Sequence, residues 1–187
     1  EGTLAFTTQI TLKLDRLPPS EAILVAAHFN SIENCLKAVV PVMKHDLYTC
    51  EMMDKTILDC TKHNKTQQEN RQFLQGDPKA ILMCEVRGDS LIEVQAKASD
   101  LISTFEKSGL SYANPMLIGD SVNKANNLRS AGLGLLGNII GDKKAVACIE
   151  DTAVVLEDLS NYISEFTALM KSYKQDTVYY AHAGAGE

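Results

Sequence analysis

Few residues in this chain have the type and setting to do chemistry, and most of them fall near its C-terminal end. His182 closes an apolar run and is followed by glycines at 184 and 186. An imidazole at such a place can serve as a base or a metal ligand. Glycines beside it let the backbone come close to a bound group. The same pattern also fits a histidine satisfied within a turn. Arg129 is the second candidate. It lies among small and apolar residues, where a planar fork of donors suits a carboxylate; an ion-paired arginine of the scaffold reads the same way. Glu150 and Asp151 end another apolar run, and neighbouring strand residues face opposite ways, so one can line a cleft while the other caps the next segment. His28 ends an apolar stretch and reads as a core histidine. His45 and His63 show no metal spacing with it or with each other. Gly132-x-Gly134-x-x-Gly137 has the G-x-G-x-x-G spacing, but no strand-to-helix turn precedes it, so it is not a dinucleotide fingerprint.

The elements that must hold these residues alternate between strand and helix. Residues 4–14 carry apolar side chains at every second position, which predicts a strand. Leu17-Pro18-Pro19 stops it, because proline fixes φ and donates no hydrogen bond. Residues 22–29 form a buried strand. Asn30 and Glu33 have capping-box spacing ahead of a helix striped by Ile32, Cys35, Leu36, Val39, Val40 and Met43, which Pro41 must bend or end. A strand over 48–53 leads into a helix capped by Asp54. Residues 62–75 are polar and predict a loop or an exposed helix end. Residues 79–86 form a strand, and Ser90 with Glu93 starts a helix that stops at Gly109. Pro115 breaks a strand over 111–118. A helix opens at Asp120-Ser121 and carries Arg129. The closing unit is a strand over 145–150, a helix over 157–173 and a strand over 177–182 that delivers His182. By pattern alone this alternation predicts an α/β fold with a parallel sheet.

Composition narrows the function. The chain has 187 residues, suited to one domain. A net charge of −6 argues against nucleic-acid binding, which needs a basic surface. No apolar run reaches the ~20 residues of a membrane span. The five cysteines include no Cys-x-x-Cys pair, so reduced structural thiols and a cytoplasmic location are expected. Without an initiator Met, and with a glycine-rich turn at the other end, the chain reads as a piece of a longer protein.

Five stretches carry a resemblance. Residues 146–154, the helix after them and Ala181-His182-Ala183-Gly184-Ala185-Gly186-Glu187 resemble the C-terminal domain of FAD-linked oxidases. This is the family of D-lactate dehydrogenase, the glycolate oxidase flavin subunit and D-2-hydroxyglutarate dehydrogenase, whose members run a strand into H-x-G-x-G-x-x-H. Glu1-Gly2-Thr3-Leu4-Ala5-Phe6 and Ile10-Thr11-Leu12-Lys13-Leu14 resemble the closing strand of its flavin domain. The resemblance implies an α+β fold: a mostly antiparallel sheet of ferredoxin-like units with helices packed on one face. It implies that residues 1–17 close an upstream flavin-binding domain and that 18–187 are a truncated substrate domain, inactive alone. Gly2 and Thr3 would touch the edge of the FAD site. His182 would be the first metal ligand of the motif, as a half-site for a divalent metal such as zinc, with the second histidine expected beyond Glu187. Arg129 would contact the substrate carboxylate. Here the tryptophan that precedes this arginine in the family is lacking, and Ala185 and Glu187 replace the usual Asp and Asn of the glycine motif. The implied substrate is a small D-2-hydroxy acid, and the implied partner an electron-acceptor protein or iron–sulfur subunit. A non-catalytic domain that contacts a redox partner is the alternative.

Overall fold

The strand β1 (Glu21–Phe29) is buried from Ile23 onwards, on both of its faces. Ile23, Val25, Ala27 and Phe29 enter one core cluster, while Leu24 and Ala26 enter a second. A strand apolar on both sides needs cover on both sides, and that requirement shapes the molecule. The computed structural model describes residues 5–139, 141–142, 144–150 and 152–187.

After β1 come α1 (Ile32–Val42), β2 (Thr49–Asp54), α2 (Lys55–Cys60), β3 (Ala80–Gly88), α3 (Leu91–Ser108), β4 (Ser111–Ala113), β5 (Met116–Ile118), α4 (Asp120–Leu136), α5 (Leu159–Ser172) and β6 (Tyr180–Ala181). The sheet order is β4-β1-β3-β2-β6, with β5 also on β1. Every pairing is antiparallel. The α+β class with an antiparallel sheet, implied by the resemblance, is therefore observed, and the parallel sheet predicted by pattern is not. The reason is that β3 inserts between β1 and β2. A strand–helix–strand unit looks the same in sequence whether its strands are neighbours or are split by a third. The first four strands, in the order β4-β1-β3-β2, make one ferredoxin-like unit.

Helices do not gather on one face. α1, α3 and α5 cover the side that holds Val25, Phe29, Met52 and Leu82. α2 and α4 cover the side that holds Leu24, Met53, Ile81 and Met83. Full burial of such a side chain contributes about 1.5–3 kcal/mol, and it comes from both faces of β1 and β3.

Local signals hold with small shifts. The N-cap of α1 is Ser31, whose hydroxyl accepts from Asn34 N–H at 3.1 Å. Asn30 is not the cap, and Glu33 pairs with Lys37 instead of reaching back. Pro41 sits in the last turn of α1, which ends at Val42. Ser90 caps α3, and Glu93 accepts from the N–H of Asp89. Gly109 ends α3 in the left-handed conformation. Pro115 separates β4 from β5.

Two predicted strands do not form. Residues 5–19 have no ladder partner among the described residues, and Phe6, Leu14 and Leu17 stand out in solvent. Residues 144–150 are also irregular, with Val146 77% and Ile149 50% exposed. Alternation marks a strand only where a neighbouring strand takes up its backbone N–H and C=O groups. Glu150 is exposed in this irregular stretch, and Asp151 lies outside the described residues. The last strand shrinks to Tyr180–Ala181. No described helix is long and apolar enough to cross a membrane.

Candidate functional site

The end of β6 and the middle of β2 meet at the site. Their register pairs Met52 with Ala181 and Met53 with Tyr180. One step further sets His182 beside Glu51. His182 Nδ1 lies 2.9 Å from Glu51 Oε2 and 3.1 Å from Oε1. A carboxylate accepts only, so Nδ1 carries the proton and donates it, which in the neutral ring leaves the Nε2 lone pair free. Glu51 Oε2 also accepts from an η nitrogen of Arg129 at 2.5 Å. Two candidates 53 positions apart in sequence are thus joined through one carboxylate.

Arg129 reaches Glu51 because α4 lays Val122, Ala125, Leu128 and Leu136 on the face of the sheet from which Glu51 projects. Its guanidinium carbon stands 4.3 Å from the centre of the Tyr180 ring, a cation–π stack. The Tyr180 hydroxyl donates to the Arg129 carbonyl at 3.1 Å. Burial pushes the Tyr180 phenol above its ordinary pKa, with Arg129 opposing and Glu51 adding to the rise. Arg129 is 15% exposed, Glu51 18% and His182 57%. The cluster therefore grades from a desolvated arginine to an open histidine. Glu51 takes only an η nitrogen of Arg129, and the Nε–H is buried without a partner among the described residues. The guanidinium keeps donors beyond those that Glu51 uses.

Asp54 fixes where β6 lies. Its carboxylate caps α2 at Ile57 N–H and accepts Tyr179 N–H, both at 3.0 Å. Burial raises its pKa, and these backbone donors pull the other way.

The glycines after His182 act on the chain itself. A Cβ at Gly184 would stand 2.9 Å from Cys50 Cβ and 3.0 Å from Met43 Sδ. At Gly186, where φ is +77°, it would run into the Val154 carbonyl oxygen. Val154 N–H donates to the Gly186 carbonyl at 3.0 Å. Close backbone approach is the reason for glycine here, and the approach is within the chain, to Val154, to Cys50 of β2 and to Met43 at the end of α1.

His182, Glu51, Tyr48 and Cys50 border a cavity of about 380 Å³. A larger one, about 590 Å³, lies between α1, α5 and the start of α2, edged by Lys55, Lys79 and Lys171. None of the sequence candidates reaches it, so convergent charge rather than volume picks out the site at β6. Cys50 and Cys84 face each other across β2 and β3 with sulfurs 3.8 Å apart. Burial raises the Cys84 and Cys35 thiols well above their usual pKa, so both stay protonated and unreactive. All five cysteines are free. His28 is a core histidine: Nδ1–H donates to Ala26 O at 2.8 Å and Nε2 accepts from Gln75 N–H at 3.2 Å.

Glu51 was not found from sequence. It lies in Thr49-Cys50-Glu51-Met52-Met53, where a lone acid in an apolar run was the available signal. Gly2 and Thr3, the expected FAD contacts, lie outside the described residues. The G-x-G-x-x-G spacing falls within α4 and at its C-cap, where Gly132 packs on Ile57, and makes no phosphate turn. The described residues therefore offer no fit for FAD. No three metal-binding side chains converge among them either. His182 supplies one free nitrogen, and the Glu51 oxygens are engaged.

Residues 18–187 match the model of the family described as FAD linked oxidases, C-terminal domain. The chain belongs to the FAD-linked oxidase family. Its curated relatives within reach include D-2-hydroxyglutarate dehydrogenases of Pseudomonas putida, at 28% identity, Pantoea ananatis, at 25%, and Escherichia coli, at 26%. Each alignment covers 100% of this chain and 19% of the relative. The chain thus spans about a fifth of the length of these relatives.

Proposed function

We propose that this domain provides the substrate side of a flavin-dependent oxidoreductase that oxidises a D-2-hydroxy acid. The junction of Arg129 and His182 on Glu51 carries this reading. A hydroxy acid presents a carboxylate beside a hydroxyl. Arg129 holds the carboxylate through donors that Glu51 leaves over. His182, with Nε2 free, takes the hydroxyl proton. FAD, held outside the described residues, would supply the acceptor for the C2 hydrogen and its electron pair, so that the product is a 2-oxo acid. If the longer protein binds a divalent metal such as zinc, Nε2 of His182 would serve as one of its ligands instead of taking the proton, with the other ligands outside the described residues. Gly2 and Thr3 would lie at the edge of the flavin site, and an electron-acceptor protein or iron–sulfur partner would take up the electrons. Residues 1–17, of which Phe6, Ile10, Leu12, Leu14 and Leu17 are exposed, would be the closing strand of the flavin-binding domain.

The test is anaerobic mixing of the full-length protein with D-2-hydroxyglutarate, D-malate or D-lactate. Bleaching of the flavin absorbance by at least one acid is expected. A flavin that no D-2-hydroxy acid reduces sinks the substrate assignment, and a full-length protein that purifies without flavin sinks the redox assignment. The D-2-hydroxyglutarate dehydrogenase names of the relatives make that acid the first choice.

A further inference from the structure

We propose that Glu51 is the positioning residue of this site: a single carboxylate that sets the His182 tautomer and aims the Arg129 guanidinium. The inference rests on the roles of Arg129 and His182 proposed above. Both Glu51 oxygens lie within 3.1 Å of His182 Nδ1, and Oε2 is shared with Arg129. A carboxylate behind an imidazole fixes the ring and makes the far nitrogen more basic. Glu51 projects from a strand whose neighbours Cys50 and Met52 are buried. A carboxylate there loses hydration, which stability alone does not reward when an apolar residue would pack as well. Its two partners depend on it unequally. Arg129 keeps the Tyr180 stack without Glu51. The His182 ring has no second hydrogen bond among the described residues. Loss of Glu51 therefore falls mainly on the proton-taking step and less on carboxylate binding.

The experiment compares wild type, Glu51→Gln and Glu51→Asp in the full-length protein. In steady-state oxidation of D-2-hydroxyglutarate, Glu51→Gln lowers kcat about 10- to 100-fold. KM rises by a smaller factor, and Glu51→Asp recovers part of kcat. A Glu51→Gln enzyme within about twofold of wild type, or one changed in KM alone, overturns the proposal. A second measurement needs no turnover: the rate at which diethyl pyrocarbonate labels His182 in protein freed of metal by a chelator, read by peptide mass spectrometry. Glu51→Gln slows labelling several-fold, because the free nitrogen becomes a weaker nucleophile. A site merely loosened by the substitution labels faster, so an equal or faster rate overturns the positioning role. If wild type oxidises no D-2-hydroxy acid, the proposed function fails and the labelling rates still decide the role of Glu51.

Discussion

At the scale of single residues, the site is a chain of three polar side chains of unequal exposure. Arg129 is held by a stack, an ion pair and its own backbone carbonyl, so its guanidinium is preorganised before any ligand arrives. On the proposed function, replacing it would leave a substrate carboxylate without its charged donor. Arg129→Ala should raise KM for a D-2-hydroxy acid by about tenfold or more, and Arg129→Lys should recover little, because an ammonium cannot reproduce the planar fork or the ring stack. Steady-state kinetics on the full-length protein check both, and an unchanged KM removes Arg129 from the carboxylate site. His182→Gln should lower kcat by about 10²- to 10⁴-fold with a small effect on KM, the pattern of a lost general base. A loss confined to KM would mean that His182 only binds.

At the scale of elements, the site depends on how a two-residue strand is held in place. β6 is too short to anchor itself, and Asp54 compensates by bonding both Ile57 N–H at the start of α2 and Tyr179 N–H just before β6. Asp54→Ala removes a helix cap and orphans a buried donor, a cost of about 2–4 kcal/mol. A fall in the urea midpoint together with a loss of kcat checks this. A variant with wild-type stability would show that β6 is held by other contacts. The turn after His182 is similarly constrained. Gly186→Ala puts a Cβ against the Val154 carbonyl at a positive φ. It should separate the two segments, and hydrogen exchange should rise in peptides covering 152–156 and 182–187. Unchanged protection there would mean that the Val154–Gly186 contact carries no weight.

At the scale of the whole molecule, the sheet is covered on both faces, and His28 reports on one of them. Burial lowers its pKa below the ordinary 6.5, with the bond to Ala26 O opposing. Its ring packs edge-on to Phe73 and Tyr112, and it ties the stretch at Gln75 to β1. The unfolded chain therefore takes up this proton before the folded one does. Stability from neutral His28 is complete above about pH 6.5 and is lost as pH falls below it. Hydrogen exchange at residues 73–76 should accelerate between pH 7.5 and 5.5, after correction for intrinsic rates, and His28→Gln should flatten the change. An equal pH response in the variant would rule out His28 as its source.

By itself the sequence determined what depends on neighbours along the chain. Helix starts at Asp54 and Ser90, the stop at Gly109, the break at Pro115 and the buried run of β1 are local events of capping, backbone freedom and apolar patterning. His182 and Arg129 were legible as candidates from residue type and setting, and the glycines at 184 and 186 as points of close approach. Only the tertiary structure decided what those residues meet. Strand order is absent from a strand–helix pattern, because the insertion of β3 between β1 and β2 is a matter of pairing across the sheet. The two-faced helix cover and the exposure of residues 5–19 and 144–150 follow from which backbones find partners. Glu51 shows the difference most directly. In sequence it is one acid in an apolar strand. The register of β2 with β6 and the packing of α4 bring His182 and Arg129 to it, and contacts between residues 131 and 78 positions apart leave no mark in local spacing.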